Sequence, residues 1–216
     1  MGLVEPRRGV VARNGRRGQT GGMSRVNDIA VLRIELEDIK PLIWRRVAMR
    51  TSMNLKAVHR VIQAAMGWLD YHLWEFEANK QKYGMLVPNE PEWNERIKNA
   101  PATKLSSLLA KGVREIGYVY DMGDNWQHRI IVEKLNPAEP RVPYPQFLGG
   151  ERRCPPEDCG GLPGYDEFLG NIGSKESKER NAALDWYGGP FDPDEIDEQK
   201  IVTKLNRIAN AGHTSR

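Results

Sequence analysis

An α+β fold, with a largely antiparallel sheet packed against one main helix, is predicted by three observations. Residues 30–36 and 43–49 are β-rich runs, the first alternating apolar and charged side chains as a strand with one wet face does. Between residues 55 and 66 apolar side chains recur at helical spacing. Two further pairs of strand-like runs follow before the chain turns helical, so the order reads β-β-α-β-β-(α)-β-β with helices at the end.

The first two strands are separated by residues 37–41, a turn-forming Glu-Asp-Ile-Lys-Pro stretch, and read as an antiparallel hairpin. Asn54 offers an N-cap to the helix 55–66, in which Leu55, Val58, Ile62, Ala65 and Met66 share a face and after which Gly67 is a stop. Runs 73–78 and 81–85 read as short strands joined at Asn79 and Lys80, and residues 88–101 as a polar loop. Residues 105–109 form a short helix capped by Thr103 or a neighbour. Residues 115–120 and 127–135 form another strand pair, connected through Asp121-Met-Gly-Asp-Asn-Trp126. Four prolines within 136–145 make an extended linker into a loop, 149–162, that contains both cysteines. Helices are expected from 164, around 179–186, and from the acidic turn at 192–196, where Pro193 sits at the start, to about 208. One domain spanning 27–210 is expected, with the helices of 164–208 as its C-terminal part. The segment 23–135 carries a charge of +3 and 136–216 a charge of −4, which suggests that the acidic helices dock on a basic sheet.

A chain of 216 residues, 39% hydrophobic, is long enough for one domain with a sizeable core. It has no apolar run near the ~20 residues that cross a bilayer and no apolar leader, so the cytoplasm is the expected compartment and no membrane partner is expected. The net charge of +3 is set by residues 1–22, where five arginines against one glutamate give +4 and leave −1 for the rest. Such a body carries no strong electrostatic footprint of a nucleic-acid binder. Residues 1–26 are expected to be a disordered basic tail, or an over-extended reading frame whose true start is Met23.

Asp121, Asp124 and His128 fall within eight residues at a strand connection, where carboxylates and imidazole serve as ligands or as acid and base. The same residues also make good turn chemistry, with Gly123 supplying backbone freedom and Trp126 covering the hairpin end. His72 lies among Trp68, Leu73, Trp74 and Phe76, a setting for a buried histidine, or for one that shares an ion with His128 if the sheet brings the two together. Cys154 and Cys159 are separated by four residues, wider than a zinc knuckle, and no second pair completes a thiolate site. Three readings stand for them: a fixed structural loop, a mixed divalent-metal site (zinc) with His128 or an Asp, and a disulfide or redox pair. Nucleophile-elbow, phosphate-loop and His-Glu-x-x-His motifs do not occur, which counts against the common hydrolase and nucleotide-binding classes.

The segments Ile39-Lys-Pro-Leu-Ile-Trp-Arg-Arg-Val47, Val61-Ile-Gln-Ala-Ala-Met-Gly-Trp68, His72-Leu73 with Phe76, Tyr120-Asp-Met-Gly-Asp-Asn-Trp-Gln-His128, Cys154-Pro-Pro-Glu-Asp-Cys-Gly-Gly161 and Gly189-Pro-Phe-Asp-Pro193 jointly resemble the plasmid pRiA4b ORF-three-like family, in order from about 31 to 205. Members occur on plasmids and mobile elements of bacteria and archaea and are sometimes labelled passenger or resolvase-like (TnpR) transposon proteins. The resemblance implies an α+β domain and no established reaction or cofactor. It also implies that His72, Asp121, Asp124, His128, Cys154, Asp158 and Cys159 belong to shared motifs, and so to a polar site. Met122 stands where an aromatic is expected.

Two functions follow as expectations. One is an accessory protein of mobile-element type, a binding module rather than an enzyme, whose partner is a protein or a nucleic acid; Arg45 and Arg46 would then be contacts for the nucleic acid. The other is a metal-dependent enzyme, such as a hydrolase, using Asp121, Asp124 and His128 with Cys154 and Cys159.

Overall fold

The computed structural model describes residues 28–211; the expected basic tail, 1–26, and the alternative start at Met23 lie outside the described residues. Among the described residues, eight strands form one sheet. They are β1 (Asp28–Leu36), β2 (Trp44–Arg50), β3 (Trp74–Ala78), β4 (Gln81–Gly84), β5 (Ile97–Asn99), β6 (Glu115–Tyr120), β7 (Trp126–Pro137) and β8 (Gln146–Glu151). Their order across the sheet is β5-β4-β3-β6-β7-β1-β2-β8, and each pairing is antiparallel except β4 with β5. The helices are α1 (Leu55–Met66), α2 (Pro91–Arg96), α3 (Leu105–Ala110), α4 (Gly161–Gly173), α5 (Lys178–Tyr187) and α6 (Glu198–Ala211). The α+β class expected from the sequence is what the chain adopts.

The local reasons are in the residues. Asn54 Oδ1 accepts from the Ala57 N–H at 2.9 Å, and Gly67 closes α1 in the left-handed conformation (φ 103°), which a residue without Cβ enters without strain. Asn79 and Lys80 both take positive φ, 50° and 62°, the hairpin turn that matches the twist of β3 and β4. The apolar faces of α1 and of the strands meet in one large core, in which Leu32, Ile34, Val58, Ile62, Phe76, Tyr118 and Trp126 are all buried. Ile29, Val31 and Ala48 form a smaller cluster, covered by Ala138 and Tyr144 of the proline linker. Arg33 lies over the Trp44 ring at 4.1 Å and pairs with Glu35, which Arg129 also reaches at 2.7 Å; Arg46 pairs with Glu133 at 2.5 Å.

Three stretches of chain depart from the sequence expectation. Residues 88–101 hold α2 and β5 rather than a loop alone. The proline linker ends in a strand of six residues, β8, that pairs with β2 through a register shift between Arg46 and Val47. The last helix begins at Glu198, because Asp192 Oδ1 accepts from Asp194 N–H and Asp197 Oδ1 from Lys200 N–H, so the acidic turn precedes the helix. α6 then packs against α1 and β8.

Candidate functional site

Three connections meet at one end of the sheet: 68–73 between α1 and β3, 121–125 between β6 and β7, and the cysteine loop between β8 and α4. Each is fixed by its own hydrogen bonds before any ligand is considered. In the first, Leu69 N–H donates to Glu157 Oε1 at 2.6 Å, Asp70 N–H to Gln63 Oε1 at 3.0 Å and Tyr71 N–H to Tyr120 Oη at 3.1 Å. In the second, Asp121 stands at φ 58° and its Oδ1 accepts from the N–H groups of Gly123 and Asp124 at 2.8 and 3.2 Å. This turn occupies one carboxylate oxygen and leaves Oδ2 to face outward from it. The third is tied to the second, since Gly160 N–H donates to Asp124 Oδ2 at 3.2 Å. It is tied to the first as well, through Trp68 Nε1–H donating to Pro155 O at 3.0 Å. The Tyr120 hydroxyl spans the two loops, donating to the Glu157 carboxylate at 3.1 and 3.2 Å; burial raises the pKa of Glu157.

These connections bring together His72, Asp121 and Asp158. His72 Nε2 is 3.5 Å from Asp121 Oδ2 and 3.0 Å from Asp158 Oδ1, and the three ligand atoms all lie within 4.8 Å of one another. Nε2 is shielded from solvent yet makes no hydrogen bond, so its approach to Asp158 is one of distance without donor alignment. Three donors bound at 2.0–2.2 Å in tetrahedral directions lie ~3.3–3.6 Å apart. The His72–Asp121 distance of 3.5 Å falls in that range and the His72–Asp158 distance of 3.0 Å lies just short of it. The Asp121 side chain is 9% exposed and the Asp158 side chain 65% exposed, so the cluster is closed on the sheet side and open over the cysteine loop. Leu69, Tyr71, Leu73 and Met122 stand exposed beside it.

Other expected site residues are placed elsewhere, and each has a physical reason. Asp124 belongs to the framework, accepting from Gly160, and Trp126 is a core residue 1% exposed. His128 corrects the expected sharing of an ion. It points into the core face of β7, where it meets the Trp68 ring edge-on at 5.3 Å and the Tyr118 carbonyl at 3.3 Å. Burial lowers its pKa to about 4. The mixed site of His128 with Cys154 and Cys159 is likewise corrected: among the described residues no such cluster forms, and both cysteines are free thiols. Cys154 Sγ is buried 3.4 Å from both Arg45 Nη2 and Met66 Sδ, and burial raises its pKa. Cys159 lies near Gly161 O, its pKa pushed up to about 12 by burial and by the Asp124 charge. Arg45 is no nucleic-acid contact. It is 2% exposed and its guanidinium is spent on the carbonyls of Ala65, Trp44 and Glu151 and on Cys154. Arg46 is ion-paired with Glu133.

Sequence reasoning missed His59. Its Nδ1 meets Tyr118 Oη at 2.8 Å and its Nε2 meets Asp70 Oδ1 at 2.7 Å, while the ring stacks on Trp74 at 4.1 Å. Its position was legible, because residue 59 falls on the stripe of Leu55, Val58 and Ile62. Glu157 was missed too, although it adjoins Asp158.

Comparison with known proteins places these features in a group. The family described as plasmid pRiA4b ORF-3-like protein matches residues 28–200. The uncharacterized protein y4hQ of Sinorhizobium fredii (strain NBRC 101917 / NGR234) is 34% identical over 164 residues, 76% of this chain and 82% of that one. The crystal structure of MM3350, a protein of unknown function from Methanosarcina mazei Go1, is similar with a TM-score of 0.71 and 34% identity over 80% of this chain and 96% of that one. Neither of these two names states an activity, and the chain belongs to the plasmid pRiA4b ORF-3-like family.

Proposed function

We propose that the protein is a divalent-cation-binding module in which His72 Nε2, Asp121 Oδ2 and Asp158 Oδ1 hold one ion. The observation that carries this reading is the shielded His72 Nε2 without a hydrogen bond, at ligand-to-ligand distance from two carboxylates on two other loops. One imidazole and two carboxylates suit zinc or manganese. With charge −2 on the carboxylates the ion is neutralised, and the cation would fasten the cysteine loop to the sheet. No helix among the described residues is long and apolar enough to span a bilayer.

Titration calorimetry of chelator-treated protein with Zn2+ and with Mn2+ tests the reading. One ion per chain is expected, and His72→Ala should weaken it by more than about a hundredfold, beyond the cost of losing a supporting residue. His128→Ala should leave the affinity unchanged. Wild-type protein that takes up neither ion ends the proposal.

A second reading is favoured by the open side over Asp158. Three protein ligands plus a free position is the pattern of hydrolytic zinc sites, where the ion lowers the pKa of a bound water. In that reading the same site hydrolyses an ester or phosphoester, and turnover of a p-nitrophenyl ester would depend on added metal and on His72.

A further inference from the structure

A second site lies behind the cysteine loop. α6, the C-terminal end of α1 and residues 153–157 enclose a cleft of about 420 Å³, within the usual range of small-molecule sites. Its apolar surface comes from Met66, Trp68 and Pro155, and Trp186, 54% exposed, stands in its lining. Lys200 and Lys204, one turn apart on α6, put two ammonium groups on the same wall.

The charges lining this cleft are unevenly spent. Glu195 is paired with Arg153 at 3.0 Å, Asp197 accepts from the Lys200 N–H at 2.9 Å, and Glu157 accepts from Leu69 and Tyr120. Arg45 is saturated by carbonyls, as described above. Lys204 Nζ donates to Trp68 O at 3.2 Å and Gly67 O at 3.4 Å, which leaves one of its three N–H bonds. The Lys200 ammonium has no hydrogen bond or ion pair among the described residues. The lining thus carries four cationic side chains against three carboxylates, a net charge of +1, and among its cations the Lys200 ammonium is left without a partner beside an aromatic and apolar surface.

We infer that this cleft binds a small organic anion with a flat apolar body, its charged group between Lys200 and Lys204 and its body against Trp68, Pro155 and Trp186. A neutral molecule of the same shape would leave the repulsion between the two ammonium groups in place. Burial and, after it, the charge of Lys200 hold the Lys204 ammonium below the usual lysine range, and an anion between the two would offset the second of these. The site does not depend on the metal reading, because none of the cation's three ligands lines the cleft.

The probes are 2-naphthoate, 2-naphthyl phosphate and the neutral 2-naphthamide, titrated into the full chain and followed by tryptophan fluorescence and calorimetry. Saturable binding of at least one anion, tighter than the amide by about tenfold, is expected from a charge-assisted contact. Preference for the carboxylate or for the phosphate then tells which anion the cleft takes. Lys200→Gln, on an exposed helix position, should reduce the anion's affinity to that of the amide. Trp186→Ala should weaken both. Lys204 also holds the end of α1, so its variant is scored only alongside a thermal melt. Equal binding of anion and amide, no binding of either anion, or affinity unmoved by Lys200→Gln overturns the inference.

Discussion

His59 and His128 are taken into the core as neutral imidazoles, each for the same reason. Burial lowers both to about 4, in His59 against the opposing pull of the Asp70 carboxylate. The folded pKa lies below the unfolded one, so on acidification the unfolded chain takes up the proton first. Stability is complete above the ordinary histidine value of ~6.5 and is lost as pH falls from there toward 4, by roughly 3 kcal/mol for each residue. The urea midpoint should accordingly drop between pH 7 and pH 4.5, and His128→Phe should remove about half of the histidine part of that slope. A variant with the wild-type pH profile would show that His128 is not neutral in the fold. Arg45 teaches a related lesson. Adjacent arginines on a strand point to opposite faces, so one of Arg45 and Arg46 had to face the core. The sequence placed both on a strand, but not which of them the carbonyls at the end of α1 would claim.

At the scale of elements, the site depends on how closely the cysteine loop seats on the 121–125 turn. Gly161 stands at φ 67°, and a Cβ there would lie 2.6 Å from the Asp124 carbonyl oxygen. Gly161→Ala thus combines backbone strain with a clash against main chain, and should cost about 1–3 kcal/mol. Because the loop must back away, Asp158 should leave His72 and Asp121, and zinc affinity should fall by about tenfold or more, as it does when a supporting residue is lost. Thermal melting and zinc titration of the variant check this; unaltered affinity would mean that Asp158 is held from its own side of the loop. Much of this architecture could be read beforehand. The hairpins, the capped α1 and the Asp-rich turn carry local signals of pattern and turn chemistry. β8 escaped notice because Gln146–Glu151 contains two glycines and gains its strand form from β2 rather than from propensity. The proposed ligands were all among the polar-site residues that the resemblance implied, but which of these meet was not legible, for a different reason. His72, Asp121 and Asp158 come from three connections, and only strand order, which pairs β3 with β6, places the first two side by side. The cysteines drew attention to the loop, yet it is Asp158 between them that reaches the turn, while Cys154 belongs to the core.

The molecule as a whole carries the two proposed sites on opposite sides of one segment. Residues 153–157 form a wall of the cleft, and Asp158 follows directly as a ligand of the cation cluster. Glu157 sits between them, bonded to Leu69 on one loop and Tyr120 on the sheet. An ion that pins Asp158 restricts the same backbone that positions Pro155 against Trp68, so an anion entering the cleft meets a wall already ordered. Binding at either site then pays part of the ordering cost of the other, which is positive coupling without any large movement. Linkage requires the effect to be mutual: if zinc tightens 2-naphthoate by a factor, 2-naphthoate tightens zinc by the same factor. A coupling of about fivefold is expected, the low end of the usual range, because hydrogen bonds to Tyr120, Asp124 and Trp68 already hold the loop in part. Calorimetric titration of 2-naphthoate with and without saturating zinc, and of zinc with and without saturating 2-naphthoate, measures both sides of the cycle. In His72→Ala the naphthoate affinity should match that of the zinc-free wild type and no longer respond to zinc. Affinities unchanged in both directions would show the loop to be equally rigid in either state, leaving the two sites to act separately.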